Sequence, residues 1–192
     1  MSVKVFIDGS SGTTGLRIAD RLAAMKMESV QPYELLTALP EASKQQFYRM
    51  AKFDYARFAG LFDLSPKKNL IIIGTSHSSA ASEQQQAAYV ERIIQQYGSD
   101  YDIFFKPHPA DSSSAGYPDR FEGLTLLPGQ MPFEIFVWAL LDKIDMIGGY
   151  PSTVFLTVPL DKVRFIFAAN AESMARPLNI LFRDATDVEW MQ

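Results

Sequence analysis

The stretch Leu70-Ile71-Ile72-Ile73 narrows the choice of fold more than any other in this chain. A strand with one wet face alternates apolar and polar residues. A short run with no alternation has both faces buried, as in a parallel sheet covered by helices on each side. The run ends at Gly74, in the loop Gly74-Thr75-Ser76-His77-Ser78-Ser79. Glu83 to Tyr97 then carries helical spacing, with Ala87, Val90, Ile93 and Ile94 on its inward face and Gly98 as its stop signal. Tyr101–Phe105 follows as a second strand, which makes a β-α-β unit.

The alternation continues. Leu124–Leu127 reads as a strand, Phe133 to about Leu141 as a helix led by Met131-Pro132, and Ile144–Ile147 as another buried strand. Ser152 to Val158 reads as a helix start and Val163–Phe167 as the next strand. Strand and helix alternating from Leu70 to Phe167 predict an α/β fold with a Rossmann-like, doubly wound parallel sheet. Asp111–Gly123 reads as loop, and the tail after Asn170 as loop and short helix.

Upstream, Val3–Ile7 reads as a strand, Asp8–Gly15 as a polar turn and Leu16–Met25 as a helix. Glycine-rich turns between strand and helix can cradle phosphate on backbone N–H groups, or can simply be tight connections. Gly9, Gly12 and Gly15 do not have the G-x-G-x-x-G dinucleotide spacing. From Pro32 to Leu64 the pattern is helical, with a start signal at Thr37-x-x-Pro40-Glu41 and a stripe of Phe47, Met50, Phe53, Phe58, Leu61 and Phe62. The turn Ser65-Pro66-Lys67-Lys68 is the expected internal boundary, dividing an N-terminal segment, 1–65, from a Rossmann-like domain, 66–192.

Composition removes several chemistries. The 192 residues include no cysteine, so disulfides, thiolate metal sites and cysteine nucleophiles are excluded. A net charge of −4 argues against broad electrostatic binding to nucleic acid. Two histidines are too few for the usual His-rich metal site, and no metal is expected. The opening MSVKVFIDGS lacks the apolar core of a signal peptide, and no run approaches the roughly 20 apolar residues of a membrane span.

The candidate site lies between Tyr101 and Thr153, where two strands end in polar loops: Lys106-Pro107-His108-Pro109 and Gly148-Gly149-Tyr150-Pro151-Ser152-Thr153. Ligands of open α/β sheets sit at that edge. His108, fixed between two prolines, can donate to a phosphate oxygen or protonate a leaving group; it can equally make a structural bond. Ser152 and Thr153 at a helix start suit an anion, and suit simple capping as well. Gly148 and Gly149 permit close approach to the backbone. Glu134, in a first helical turn, complements the helix dipole or bridges two ribose hydroxyls.

Taken together these motifs resemble the bacterial sialyltransferases of two-Rossmann, GT-B type that use CMP-sialic acid. The resemblance spans roughly residues 70–168. Lys106-Pro107-His108-Pro109 is similar to the family's HP motif, and Gly148-Gly149-x-x-Ser152-Thr153 to its S/ST motif, with Phe133-Glu134 between them. It implies the C-terminal, donor-binding half of a GT-B enzyme: a metal-independent, inverting sialyl transfer from CMP-sialic acid to a glycan acceptor, with no other cofactor. By the same resemblance His108 contacts the CMP phosphate and is the general acid. Ser152 and Thr153 bind that phosphate, Gly149 belongs to the CMP site, and Glu134 holds the ribose. Lys106 and Pro107 lie near the cytosine, and Gly74, Thr75 and Ser76 face the donor. It further implies a cytoplasmic protein acting in lipooligosaccharide or capsule biosynthesis, with peripheral association at the inner membrane left open.

The acceptor hydroxyl needs a base, which this family carries in an acidic-acidic-glycine motif on its other domain. Ile7-Asp8-Gly9 is similar to that motif with Ile7 in place of the first acid, which makes Asp8 the expected base. The first 20 or so residues also resemble N-acetyl-γ-glutamyl-phosphate reductases, but those enzymes need a cysteine that this chain lacks. A non-catalytic nucleotide-binding module and, less favoured, an NADP-dependent reductase fragment are the competing expectations.

Overall fold

The computed structural model describes residue 35, residues 37–77 and residues 79–192. The expected strand and helix at 3–25, the glycine turn and Asp8 lie outside these residues. The order of elements is α1 (Glu41–Met50), α2 (Tyr55–Phe62), β1 (Lys68–Ile73), α3 (Ala80–Tyr97), β2 (Tyr101–Lys106), α4 (Tyr117–Arg120), β3 (Leu124–Leu126), α5 (Phe133–Leu140), β4 (Met146–Gly149), β5 (Val163–Ile166), α6 (Leu178–Leu181) and β6 (Glu189–Trp190). The strands form one six-stranded sheet in the order β3-β2-β1-β4-β5-β6, and every pairing is parallel. The expected α/β, doubly wound architecture is what the chain adopts.

The central strand is β1, and its last five residues are all buried. Successive strand residues face opposite sides of the sheet, so the sheet divides the core in two. Ile71, Ile73, Phe104 and Ile147 pack under α1, α2 and α5. Leu70, Ile72, Ile103, Phe105 and Phe165 pack under α3 and α4. Helix α5 is buried nearly all round, because it is sandwiched between the sheet and the first two helices. Aromatic rings fix that contact. Phe53 and Phe58 meet Phe136 edge-on with centroids 5.3 and 4.9 Å away, and Phe62 stacks on Phe104 at 4.4 Å. Helices α1 and α2 are therefore packed on the sheet rather than set apart from it.

Local departures from expectation have identifiable causes. The helical stretch before residue 64 breaks at Lys52, whose φ of 53° is left-handed. Helix α1 starts at Glu41, as the start signal implies, with Pro40 as an N-cap that offers no side-chain bond. Helix α3 starts earlier than the apolar pattern, at a capping box made by Ser79 and Ser82. The 111–123 region is not plain loop but a 3₁₀ turn, Ser113–Gly116, leading into α4. The segment after Ser152 closes only one 3₁₀ turn, Thr153–Leu156. The tail adds a strand, β6, where the sequence suggested loop and helix. Its two residues pair with β5 at Phe165 and Ile166 and are too few to show any period.

Candidate functional site

From β1 the chain winds outward to β2 and β3, then returns to the other side of β1 as β4. The loops leaving β1 and β4 thus diverge, and a crevice opens at the carboxyl ends of these strands. The register sets the level of that edge: Ile73 pairs with both Lys106 and Gly149. Three loops leave together. The Gly74 N–H donates to the Lys106 carbonyl at 3.0 Å, and the Tyr150 N–H to the Ile73 carbonyl at 3.0 Å. The loops 74–76, 107–109 and 150–153 are therefore neighbours at one edge. Helix α5 begins at the same edge, since the Leu127 N–H donates to the Phe105 carbonyl at 2.8 Å just upstream. That brings in Glu134, close enough to Lys106 for their charges to interact. The crossing loops thus gather Gly74, Thr75, Ser76, Lys106, Pro107, His108, Glu134, Gly149, Ser152 and Thr153, leaving aside only Asp8, which is outside the described residues.

Each loop presents its groups differently. His108 is exposed, and its Nδ1 accepts the Ala110 N–H at 3.1 Å. A nitrogen that accepts carries no proton, so in this bond the ring is neutral and Nε2 bears the hydrogen, as a donor. Ser152 caps the 3₁₀ turn, its hydroxyl accepting the Val154 N–H at 3.3 Å. The Thr153 hydroxyl is exposed and has no partner among the described residues. Gly148 and Gly149 have packing reasons to be glycine. A Cβ on Gly148 would sit 2.5 Å from the Phe165 ring, and one on Gly149 only 2.2 Å from the Ile73 carbonyl oxygen. Gly149 also holds φ at +134°, which side chains other than hydrogen resist. The double glycine thus lets β4 lie against β1 and under Phe165.

Lys106 is a buried cation, 4% exposed. Its Nζ donates to the Pro107 carbonyl at 2.8 Å and to the Gly129 carbonyl at 2.9 Å. Burial pushes its pKa down from 10.5 to about 8, against the opposing pull of Glu134.

Gln86 is a site-supporting residue that the apolar pattern of α3 hides. It is fully buried, its Oε1 accepts the Thr75 N–H at 2.9 Å, and its amide reaches the Tyr117 hydroxyl at 3.3 Å. It therefore fixes the 74–76 loop from below. Gly74 completes this, because a Cβ there would meet Phe105 at 2.5 Å. The legible signal is position: Gln86 stands four residues before Val90 and seven before Ile93, on the inward stripe.

Beside this loop lies a polar cavity of about 220 Å³ lined by His77, Ser79, Glu83, Ala110, Asp111, Ser112 and Ser113. Burial raises the Asp111 pKa, but hydrogen bonds from the Ser113 hydroxyl and N–H outweigh it and hold the carboxyl below its ordinary value. A second cavity, about 510 Å³, lies by Tyr48, Tyr55 and Trp138. It also touches Asp142 and Lys162, which precede β4 and β5, so it belongs to the opposite edge of the sheet. Among the described residues, no three His, Asp or Glu side chains are placed to hold a metal ion, and no helix is long and apolar enough to cross a membrane.

No protein-family description and no curated protein matches the chain in sequence. Solved structures do share its fold. The GT-B domain of a Photobacterium damselae sialyltransferase superposes with a TM-score of 0.70 at 21% identity, covering 95% of this chain and 53% of that one. An α/β-galactoside α-2,3-sialyltransferase from Photobacterium phosphoreum gives 0.67 at 24% identity, over 89% of this chain and 48% of that one. A 2,6-sialyltransferase from Photobacterium sp. JT-ISH-224, in a ternary complex with the donor product CMP and the acceptor substrate lactose, gives 0.64 at 16%, over 94% and 41%. The chain thus spans about half the length of the proteins whose fold it shares, or somewhat less.

Proposed function

We propose that this chain is the donor-binding part of a glycosyltransferase that moves sialic acid from CMP-sialic acid to a glycan. The observation that carries the reading is the gathering of His108, Glu134, Ser152 and Thr153 at the carboxyl edge beside the β1/β4 switch point. The shared fold with sialyltransferases, one of them holding CMP, supports it.

In the reaction, the bond from the anomeric carbon to the phosphate oxygen breaks and its electron pair stays on CMP. The acceptor oxygen bonds to the opposite face of that carbon, inverting it, and loses its proton to a base. Charge accumulates on the departing phosphate, so donors aimed there lower the barrier most. The Nε2–H of His108 and the free Thr153 hydroxyl are such donors, with Ser152 beside them. Glu134 accepts from the ribose hydroxyls. These groups act without a metal ion or other cofactor in this reading. Asp8 is the proposed base, and the glycan and cytoplasmic setting belong to the same proposal.

Titration calorimetry with CMP and, separately, NADP(H) tests it. CMP binds, NADP(H) does not, and the Ser152→Ala/Thr153→Ala double variant raises the CMP dissociation constant about tenfold or more, since each decade is about 1.4 kcal/mol. His108→Ala retains CMP binding but loses transfer. Absence of CMP binding at about 1 mM sinks the reading. The alternative is a nucleotide-binding module without transfer. Donor hydrolysis or transfer that Asp8→Asn abolishes identifies an enzyme; binding with no turnover identifies the module.

A further inference from the structure

The segment Lys106-Pro107-His108-Pro109 poses a problem of anchoring. Its two prolines have no N–H, so the chain around His108 has few donors of its own. Backbone donors tie two of its carbonyls, the Gly74 N–H at Lys106 and the Asp111 N–H at His108, and side chains tie the two proline carbonyls. Lys106 Nζ donates to the Pro107 carbonyl at 2.8 Å, and Gln130 Nε2 donates to the Pro109 carbonyl at 2.8 Å. The Pro107 carbonyl belongs to the peptide unit that enters His108, and the Pro109 carbonyl follows it. His108 is thus held on both sides.

The same ammonium also donates to the Gly129 carbonyl at 2.9 Å, in the connection between β3 and α5. Gly129 packs on Pro107, where an added Cβ would touch the proline ring at 3.6 Å. The loop that carries His108 and the loop that leads to Glu134 are joined through one buried nitrogen.

We infer that Lys106 is a positioning residue: its buried side chain straps the His108 loop to the start of α5, and so sets the His108 ring and Glu134 relative to one another, without itself contacting the ligand. What the strapped loops serve rests on the nucleotide-sugar reading; the strap itself does not. A buried ammonium tied to two carbonyls instead of a carboxylate is costly to desolvate, and its pKa is lowered accordingly. The strap outlasts loss of that proton, because a neutral amine keeps two N–H donors for the two carbonyls.

The test uses the full chain, Lys106→Met, and two readouts. The first is the imidazole ¹⁵N spectrum of the ligand-free protein, which holds two histidines. Wild-type His108 shows the Nε2–H tautomer that its bond from Ala110 demands. In Lys106→Met that preference weakens toward the free-imidazole mixture. The second is CMP affinity, which falls about tenfold in the variant. Both changes together, with cooperative thermal unfolding retained, support the strap. An unchanged tautomer with lost CMP affinity overturns it in favour of direct contact between Lys106 and the nucleotide. An unchanged tautomer with unchanged affinity overturns it, and so does a shifted tautomer with unchanged affinity. If wild-type protein binds no CMP, the nucleotide-sugar reading fails, while the tautomer readout still decides the strap. If Lys106→Met does not fold, Gln130→Ala, at an exposed residue holding the other side of His108, carries the same readouts. A shift of the tautomer in that variant supports the strap and no shift overturns it.

Discussion

At the amino-terminal edge of the sheet, polar side chains mostly tie backbone groups and one another. Asn69 donates from its amide to the Phe62 and Lys143 carbonyls at 2.9 and 2.8 Å, while its own N–H goes to Asp145 at 2.8 Å. Ser65 donates to Asp102 at 2.6 Å, Lys143 pairs with Asp63 at 2.7 Å, and the Lys162 ammonium takes the Ile144 carbonyl. At the carboxyl-terminal edge the division of labour differs. Buried Gln86 and Lys106 hold backbone, and the groups beyond them, His108 Nε2 and the Thr153 hydroxyl, keep no protein partner among the described residues. One edge spends its polar groups on closing the fold. The other uses a buried layer to hold a second layer open. A polar group left free on an ordered loop is available to a ligand, whereas one in a closed network must first break its bonds.

Four substitutions press on that contrast. Gly149→Ala, where the edges are joined through β1 and β4, has the largest expected effect. Its Cβ would enter the Ile73 backbone, and its φ is +134°, so the loss is about 3 kcal/mol and roughly 10 °C in Tm by thermal denaturation. Asn69→Ala and Gln86→Leu come next, as a matched pair. Each strands buried backbone groups and costs about 2 kcal/mol in chemical denaturation. Only Gln86→Leu also weakens CMP binding, because only Gln86 supports a loop of the carboxyl edge. Equal effects of the two on CMP affinity would erase the functional difference between the edges. Asp63→Asn is the smallest. Hydrogen bonding to Asp63 raises the Lys143 pKa, but the pair is largely exposed and solvent screens it. The expected loss is about 0.3 kcal/mol, reduced further at high salt, with CMP affinity unchanged.

Much of the fold and part of the site were legible in the chain. The unbroken run Leu70–Ile73 announced a strand buried on both faces, and β1 is the centre of the sheet. The punctuation at Lys106-Pro107 and Gly148-Gly149 marked where strands end, which put His108, Ser152 and Thr153 on one edge of any parallel sheet. Lys106 was legible at the end of a strand, but the carbonyls its ammonium ties were not. Gln86, inside a run of three glutamines, gave only its place on an apolar stripe.

Sequence alone settled the elements and their direction, because hydrophobic period, prolines and glycines act on neighbours a few residues away. Tertiary structure decided three other matters. It set which carbonyls Lys106 and Gln86 reach, and it gave packing reasons for Gly148 and Gly149 to be bare. It also let Glu189 and Trp190 become a strand. Each depends on partners distant in the chain: Gly129 for Lys106, Thr75 for Gln86, Phe165 and Ile73 for the glycines, and β5 for β6. A long side chain can satisfy its donors in many ways, and only the packed sheet removes all but one.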